Sequence, residues 1–260
     1  MMTNINGVDL YYKQFGHGHC RVLLLHGWGC DSGIFHAIAE VLSKNACVMM
    51  IDFPGHGRSA RPPEPWGVSD FSKTIYQLIH QTEFVPTHII AHSFGARIAL
   101  YLAAHYPEAI NRIIITGGAG IRKPLSKAGV FTRYKFGLVK RVTRGMKRYS
   151  LLGQPADWLL KKAAAKYGSK DYNILDAEMK KTFVKIVNDD LTPLLAKIHT
   201  PSLLIWGDKD TETPLWMGEL MAKEMKDAAL IVFHGAGHYA FLDDCRRFNI
   251  ITNNFLVEGA

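Results

Sequence analysis

The stretch Thr87–Leu100, THIIAHSFGARIAL, constrains the fold more than any other part of the chain. Ile89-Ile90-Ala91 is a short apolar run of the kind that ends a strand buried on both faces. Arg97 to Ala104 is rich in good helix formers. Only His92-Ser93-Phe94-Gly95 separates the two, so the strand turns into the helix almost at once, with Ser93 at the apex. Such a turn has no room for large side chains two residues before and two after the serine. Gly95 meets that demand, and Ala91 stands where the usual pattern has glycine, giving A-x-S-x-G. The bland reading is a serine that caps a helix. The other is a hydroxyl lifted clear of the sheet at a helix N-terminus, where developing negative charge is favoured. The rest of the chain decides between them.

The same rhythm of strand and helix runs through most of the sequence. Val8–Gln14 alternates as an N-terminal β segment does. Arg21–Leu25 and Cys47–Ile51 read as buried strands, and Ile110–Thr116, Ser202–Trp206 and Leu230–Phe233 as further strands. Ser32–Lys44, with Asp31 or Ser32 as cap, Asp70–Glu83, Pro214–Met225 and Tyr239–Leu256 read as helices. Strands alternating with helices predict an α/β fold, a doubly wound and mostly parallel sheet. Sites in such sheets lie at the C-terminal ends of the strands. From Ile121 to Asp190 there is no strand signal, and a helical tone is broken by Gly129, Gly137, Gly145 and Gly153. The expected organisation is a core of residues 1–120 and 191–260 with a helical cap inserted at 121–190.

A serine hydroxyl is a poor nucleophile until a base takes its proton, and the base needs a third group to hold its ring. Two turns downstream of Ser93 offer these groups at strand ends. The Leu203–Trp206 run leads into Gly207-Asp208-Lys209-Asp210, where Asp210 is the expected acid and Asp208 the fallback. The run before His234 leads into Gly235-Ala236-Gly237-His238, where His238 is the expected base. Ala109–Gly120 contains no carboxylate to compete with Asp210. A G-D-x-D turn or a histidine after glycine means little alone; three candidates in the order Ser, acid, His, each at a strand end, point to one site.

With these residues in view, the chain resembles the α/β-hydrolase superfamily, in the branch of small serine esterases and related C–C hydrolases. The resemblance runs nearly end to end. It rests on His26-Gly27-Trp28-Gly29, Asp52-Phe53-Pro54-Gly55-His56-Gly57-Arg58-Ser59, the Ser93 turn, and the turns holding Asp210 and His238. It implies a Ser93–His238–Asp210 triad, with the backbone N–H groups of Trp28 and Phe94 as the oxyanion hole. It also implies that His26 and His56 are hydrogen-bonded turn residues. The activity implied is hydrolysis of small carboxylic esters or thioesters. Cleavage of a C–C bond or an amide by the same triad is the alternative, as is a receptor-like or inactive member of the fold.

No G-x-G-x-x-G follows a strand and no P-loop is present, so no cofactor is expected. Cys20, Cys30, Cys47 and Cys245 are scattered without a C-x-x-C pair, which predicts free thiols and no metal site. The N-terminus lacks the basic start and apolar core of a signal peptide, and a cytoplasmic location is expected. Charge is segregated along the chain. Residues 121–170 hold fourteen Lys and Arg against Asp157 alone, a net +13, so the rest carries −5 of the total +8. Phe131, Tyr134, Leu138, Val142, Met146 and Tyr149 recur at helical spacing as an apolar stripe. The bland expectation is that the stripe packs on the core and the charges are solvated. The functional ones are an anionic or lipid-like ester substrate, or peripheral membrane contact through the basic cap. Nucleic acid is not expected, because no binding motif accompanies the charge.

Overall fold

The apolar runs become the middle of one eight-stranded sheet. In the computed structural model, residues 1–122, 127–146, 154–159, 162 and 175–258 are described. The strands are β1 (Met2–Ile5), β2 (Val8–Phe15), β3 (Arg21–Leu25), β4 (Cys47–Ile51), β5 (Thr87–His92), β6 (Ile110–Thr116), β7 (Ser202–Gly207) and β8 (Ala228–Phe233). Their order across the sheet is β1-β2-β4-β3-β5-β6-β7-β8. β1 and β2 form an antiparallel hairpin, β2 is antiparallel to β4, and every later pairing is parallel. The expected parallel α/β sheet is therefore present, with a hairpin added at one edge.

Period-two alternation splits each central strand between two apolar layers. Leu23, Leu25, Ile89, Ala91, Ile113 and Ile115 face the layer built with α2 (Val68–Gln81) and α3 (Phe94–His105). Val22, Leu24, Ile90 and Ile114 face the other layer. There Phe35, Ile38 and Leu42 meet them from the segment containing α1 (His36–Leu42), and Phe248 from the C-terminal helical region. Parallel strands need this cover on both faces, which is why they read as unbroken apolar runs.

The chain divides into two compact units, residues 1–122 with 184–260, and residues 123–183. The second unit is shorter than the 121–190 insertion expected from sequence. Its described residues include α4 (Lys127–Met146) and a helical turn at 154–159. α5 (Ala177–Asn188) crosses the boundary, with its C-terminal end in the first unit. α4 runs unbroken through Gly129, Gly137 and Gly145, where helix weakening was expected. Gly153 and Tyr149 lie outside the described residues, as does the side chain of Phe131. Where the insertion leaves and rejoins, Leu191 N–H donates to the Gly120 carbonyl at 2.9 Å. Beside that point Arg97 Nη1, in the second turn of α3, donates to the Asp189 carbonyl at 2.7 Å. Burial draws the Arg97 pKa down to about 10, opposed by Asp189 and Asp190, so it stays cationic at neutral pH.

After α6 (Thr192–Leu195), α7 (Leu215–Glu224) follows β7. The single C-terminal helix expected from sequence is two, α8 (Ala240–Asp243) and α9 (Cys245–Asn253). The break is at Asp244, whose carboxylate accepts from Arg247 N–H and caps the second helix. All four cysteines are free thiols. No helix among the described residues is long and apolar enough to cross a membrane.

Candidate active site

Ser93 lies between β5 and α3 with φ 50° and ψ −108°. A non-glycine residue holds such a backbone only where its surroundings enforce it. Here they do so from both sides. Ser93 N–H donates to the Thr116 carbonyl at 3.2 Å, and the Ser93 carbonyl accepts from Ala96 and Ala119 N–H at 3.1 and 3.0 Å. Gly95 N–H donates to the His26 carbonyl, which draws the head of α3 onto the end of β3. That approach explains Gly95: a Cβ there would lie 2.2 Å from the Leu25 carbonyl oxygen. Ala91 is fully buried in β5, so a methyl is accommodated where the usual pattern has glycine.

The other two candidates are joined directly. His238 Nδ1–H donates to Asp210 Oδ2 at 2.8 Å, with the Asp210 side chain fully buried and that of His238 11% exposed. Asp210 Oδ1 accepts from Glu212 and Thr213 N–H, both at 2.9 Å. Burial alone would raise the Asp210 pKa. The hydrogen bond and charge of His238, with the N–H and hydroxyl of Thr213, outweigh it and hold the carboxyl below its ordinary value. The fallback Asp208 has its own histidine, His234, at 3.1 Å, and also accepts from Gly235 N–H. That second pair faces solvent, with His234 83% exposed, whereas the Asp210–His238 pair turns inward.

Ser93 meets this pair through its neighbours. The His92 ring lies 4.7 Å from the His238 ring, centre to centre. Gly117, just past Thr116, sits beside both partners: a Cβ there would be 3.1 Å from His238 Nδ1 and 3.2 Å from Asp210 Oδ2. Its φ of +52° suits glycine as well. Among the described residues the hydrogen bonds join His238 to Asp210 but not Ser93 Oγ to His238. Such contacts are often long before substrate binds.

Three residues here were not singled out from the sequence. Thr213 Oγ1 lies 2.8 Å from Asp210 Oδ2, 2.9 Å from the Gly117 carbonyl and 3.2 Å from His238 Nδ1. Its one proton serves only one of the two oxygens at a time. The spacing D-x-x-T before Pro214 was the available sign, because an Asp commonly accepts N–H groups two and three residues on. His92 donates Nδ1–H to the Thr116 carbonyl, while its buried Nε2 finds no partner among the described residues. Burial, then the nearby His238, lowers the His92 pKa to about 3, so the ring is neutral. Gly117 is the third; only its place in space reveals its role.

Trp28 and Phe94 meet edge to face, ring centres 5.3 Å apart, so the turn after β3 and the head of α3 are held together. Phe94 is 2% exposed and also packs on Phe53 and Phe71. His26 donates Nδ1–H to the Gly27 carbonyl and accepts from Phe53 N–H at Nε2. Burial, then His56, lowers its pKa to about 3. His56 contacts the Pro54 carbonyl through Nδ1. Asp52 ties the same turns by accepting from Ser32 and Arg58 N–H. His26 and His56 are thus hydrogen-bonded turn residues.

Residues 21–244 match the family model described as "alpha/beta hydrolase fold". The chain belongs to that family, the class of α/β-hydrolase-fold proteins. Among curated proteins it is similar to a pimeloyl-[acyl-carrier protein] methyl ester esterase of Neisseria meningitidis. The two are 27% identical over 255 residues, covering 92% of this chain and 94% of the relative. Among solved structures it is similar to a hydrolase from Pseudomonas aeruginosa, with TM-score 0.75, 22% identity, and 98% and 97% of the two chains covered. It is also similar to an esterase from Exiguobacterium antarcticum, with TM-score 0.74, 20% identity and 98% of each chain covered. At these identities the solved structures speak to the fold alone.

Proposed function

We propose that the chain is a serine carboxylesterase that works through an acyl-enzyme on Ser93. The observation that carries this reading is the inward-facing His238–Asp210 pair at the strand edge that also holds Ser93 in its positive-φ turn. His238 Nε2 takes the Ser93 proton as Ser93 Oγ attacks the ester carbonyl. Asp210 keeps the Nδ1–H tautomer and stabilises the imidazolium that forms. The oxyanion rests on the backbone N–H groups of Phe94 and Trp28. His238 then protonates the leaving alcohol, and the acyl group remains on Ser93. Water, deprotonated by His238, attacks the acyl-enzyme and releases the carboxylic acid and the free serine.

The first substrates to test are methyl esters, including a pimeloyl methyl ester, because the named relative carries that chemistry. A panel of p-nitrophenyl esters of increasing acyl length, run beside a meta-cleavage diketone, tests the reading. Ester turnover with a burst of nitrophenol, lost in Ser93→Ala, is expected. Turnover of the diketone without any ester, or ester turnover that survives Ser93→Ala, overturns it.

A further inference from the structure

The apolar stripe of α4 does not lie where an ordinary amphipathic helix puts it. Tyr134, Leu138 and Val142 recur at every fourth residue, forming a row about 12 Å long, and they are 69%, 51% and 51% exposed. The buried side chain, Thr143, at 2% exposure, lies on the other side of the helix with half-buried Val139 beside it, and the row itself turns half-buried at its last member, Met146. Helices of globular proteins normally turn the apolar row inward. Lys135 borders the exposed row on one side and Arg141 on the other, with Arg144 one step further round, all three exposed. α4 contains no Asp or Glu. The turn at 154–159 repeats the pattern: Trp158 is 60% exposed, and Lys162 Nζ lies 4.8 Å from its ring centre.

We infer that this face of α4 docks on an anionic bilayer surface. Charge alone would serve an acidic protein equally well. The outward Tyr, Leu, Val and Trp side chains, bordered by Lys and Arg, decide for the bilayer. Apolar and aromatic groups sink into the headgroup boundary while cationic heads stay at the lipid phosphates. The segment's net +13 complements anionic lipid, and each Lys or Arg near such a surface strengthens binding about fivefold. The role is independent of the catalytic groups and stands whether or not Ser93 is a nucleophile.

The test is flotation of the full chain with phosphatidylcholine vesicles, with and without phosphatidylserine, at low and high salt. Wild type should float with the phosphatidylserine vesicles at low salt and be released by high salt. It should not float with phosphatidylcholine alone. Lys135→Glu/Arg141→Glu/Arg144→Glu should weaken partition more than a hundredfold, taking about fivefold per charge. Leu138→Ser/Val142→Ser, with charge unchanged, should weaken it about tenfold or more. Both variants should melt as wild type does and hydrolyse a small neutral ester at the wild-type rate. Equal binding to both vesicle types overturns the inference, as does full binding by the Leu138→Ser/Val142→Ser variant. So does the absence of vesicle binding by a wild-type chain that instead captures an acidic acyl-carrier protein through the three basic residues.

Discussion

Taking the protein from pH 7 to pH 5 should weaken the fold by about 4 kcal/mol through two buried histidines. His26 and His92 are both fully buried, and burial lowers each from an ordinary 6.5 to about 3. The sign follows from where the proton goes. Between pH 6.5 and 3 the unfolded chain protonates both rings and the folded chain protonates neither, so stability falls as pH falls through that window. Integrated from pH 7 to 5 against an unfolded pKa of 6.5, each ring contributes about 2 kcal/mol. The carboxyls of Asp52 and Asp210 lie below their ordinary 3.8 and lose their stabilising charge only at still lower pH. Urea unfolding at pH 7, 6 and 5 and constant ionic strength measures the slope. His92→Phe isolates one ring. The lost bond to Thr116 should cost it about 1 kcal/mol at pH 7, and the fall between pH 7 and 5 should shrink by about 2 kcal/mol, so that at pH 5 the variant is the more stable. An unchanged fall in that variant would refute the assignment of His92 as a buried neutral ring.

Asp210→Asn should lower kcat about 10⁴-fold by spoiling the His238 tautomer, while Asp208→Asn, in the solvent-facing pair, should cost less than about threefold; the reverse ranking in steady-state assays would move the acid to Asp208. Thr213→Val should lower kcat and shift the acid limb of its pH profile with little change in KM, and Thr213→Ser should restore both; an unmoved pH profile would make Thr213 merely structural. Gly95→Ala should destabilise the fold by about 3 kcal/mol or more in urea unfolding, because its Cβ meets Leu25 backbone. Ala91→Val should damage folding or activity while Ala91→Gly stays near wild type, and a fully active Ala91→Val enzyme would mean the turn is looser than it looks.

The central strands were legible because burial on both faces leaves runs of apolar residues in each. Arg21–Leu25, Cys47–Ile51 and Ile110–Thr116 have the same bounds in sequence and structure. β1 is not legible because Met-Thr-Asn-Ile is only four residues long and does not alternate apolar with polar in sequence. The break at Asp244 is set by one cap inside an otherwise helical stretch, which periodicity alone does not register. Asp210 and His238 were readable because each follows an apolar run into a turn. Their pairing, and the separate pairing of Asp208 with His234, depends on how two loops fold back on each other. Gly117 matters through proximity across distant stretches of chain, which no local pattern records, and so do the contacts of Thr213 beyond its own D-x-x-T turn. The stripe on α4 was visible as a stripe, but which side of it faces solvent is decided by tertiary packing.

Fluorophosphonate labelling followed by peptide mass spectrometry tests the proposed nucleophile most directly. We expect one adduct, on Ser93, absent in Ser93→Ala and formed orders of magnitude more slowly in His238→Ala. A wild-type chain that takes no label, or a Ser93→Ala chain labelled as readily as wild type, would contradict it.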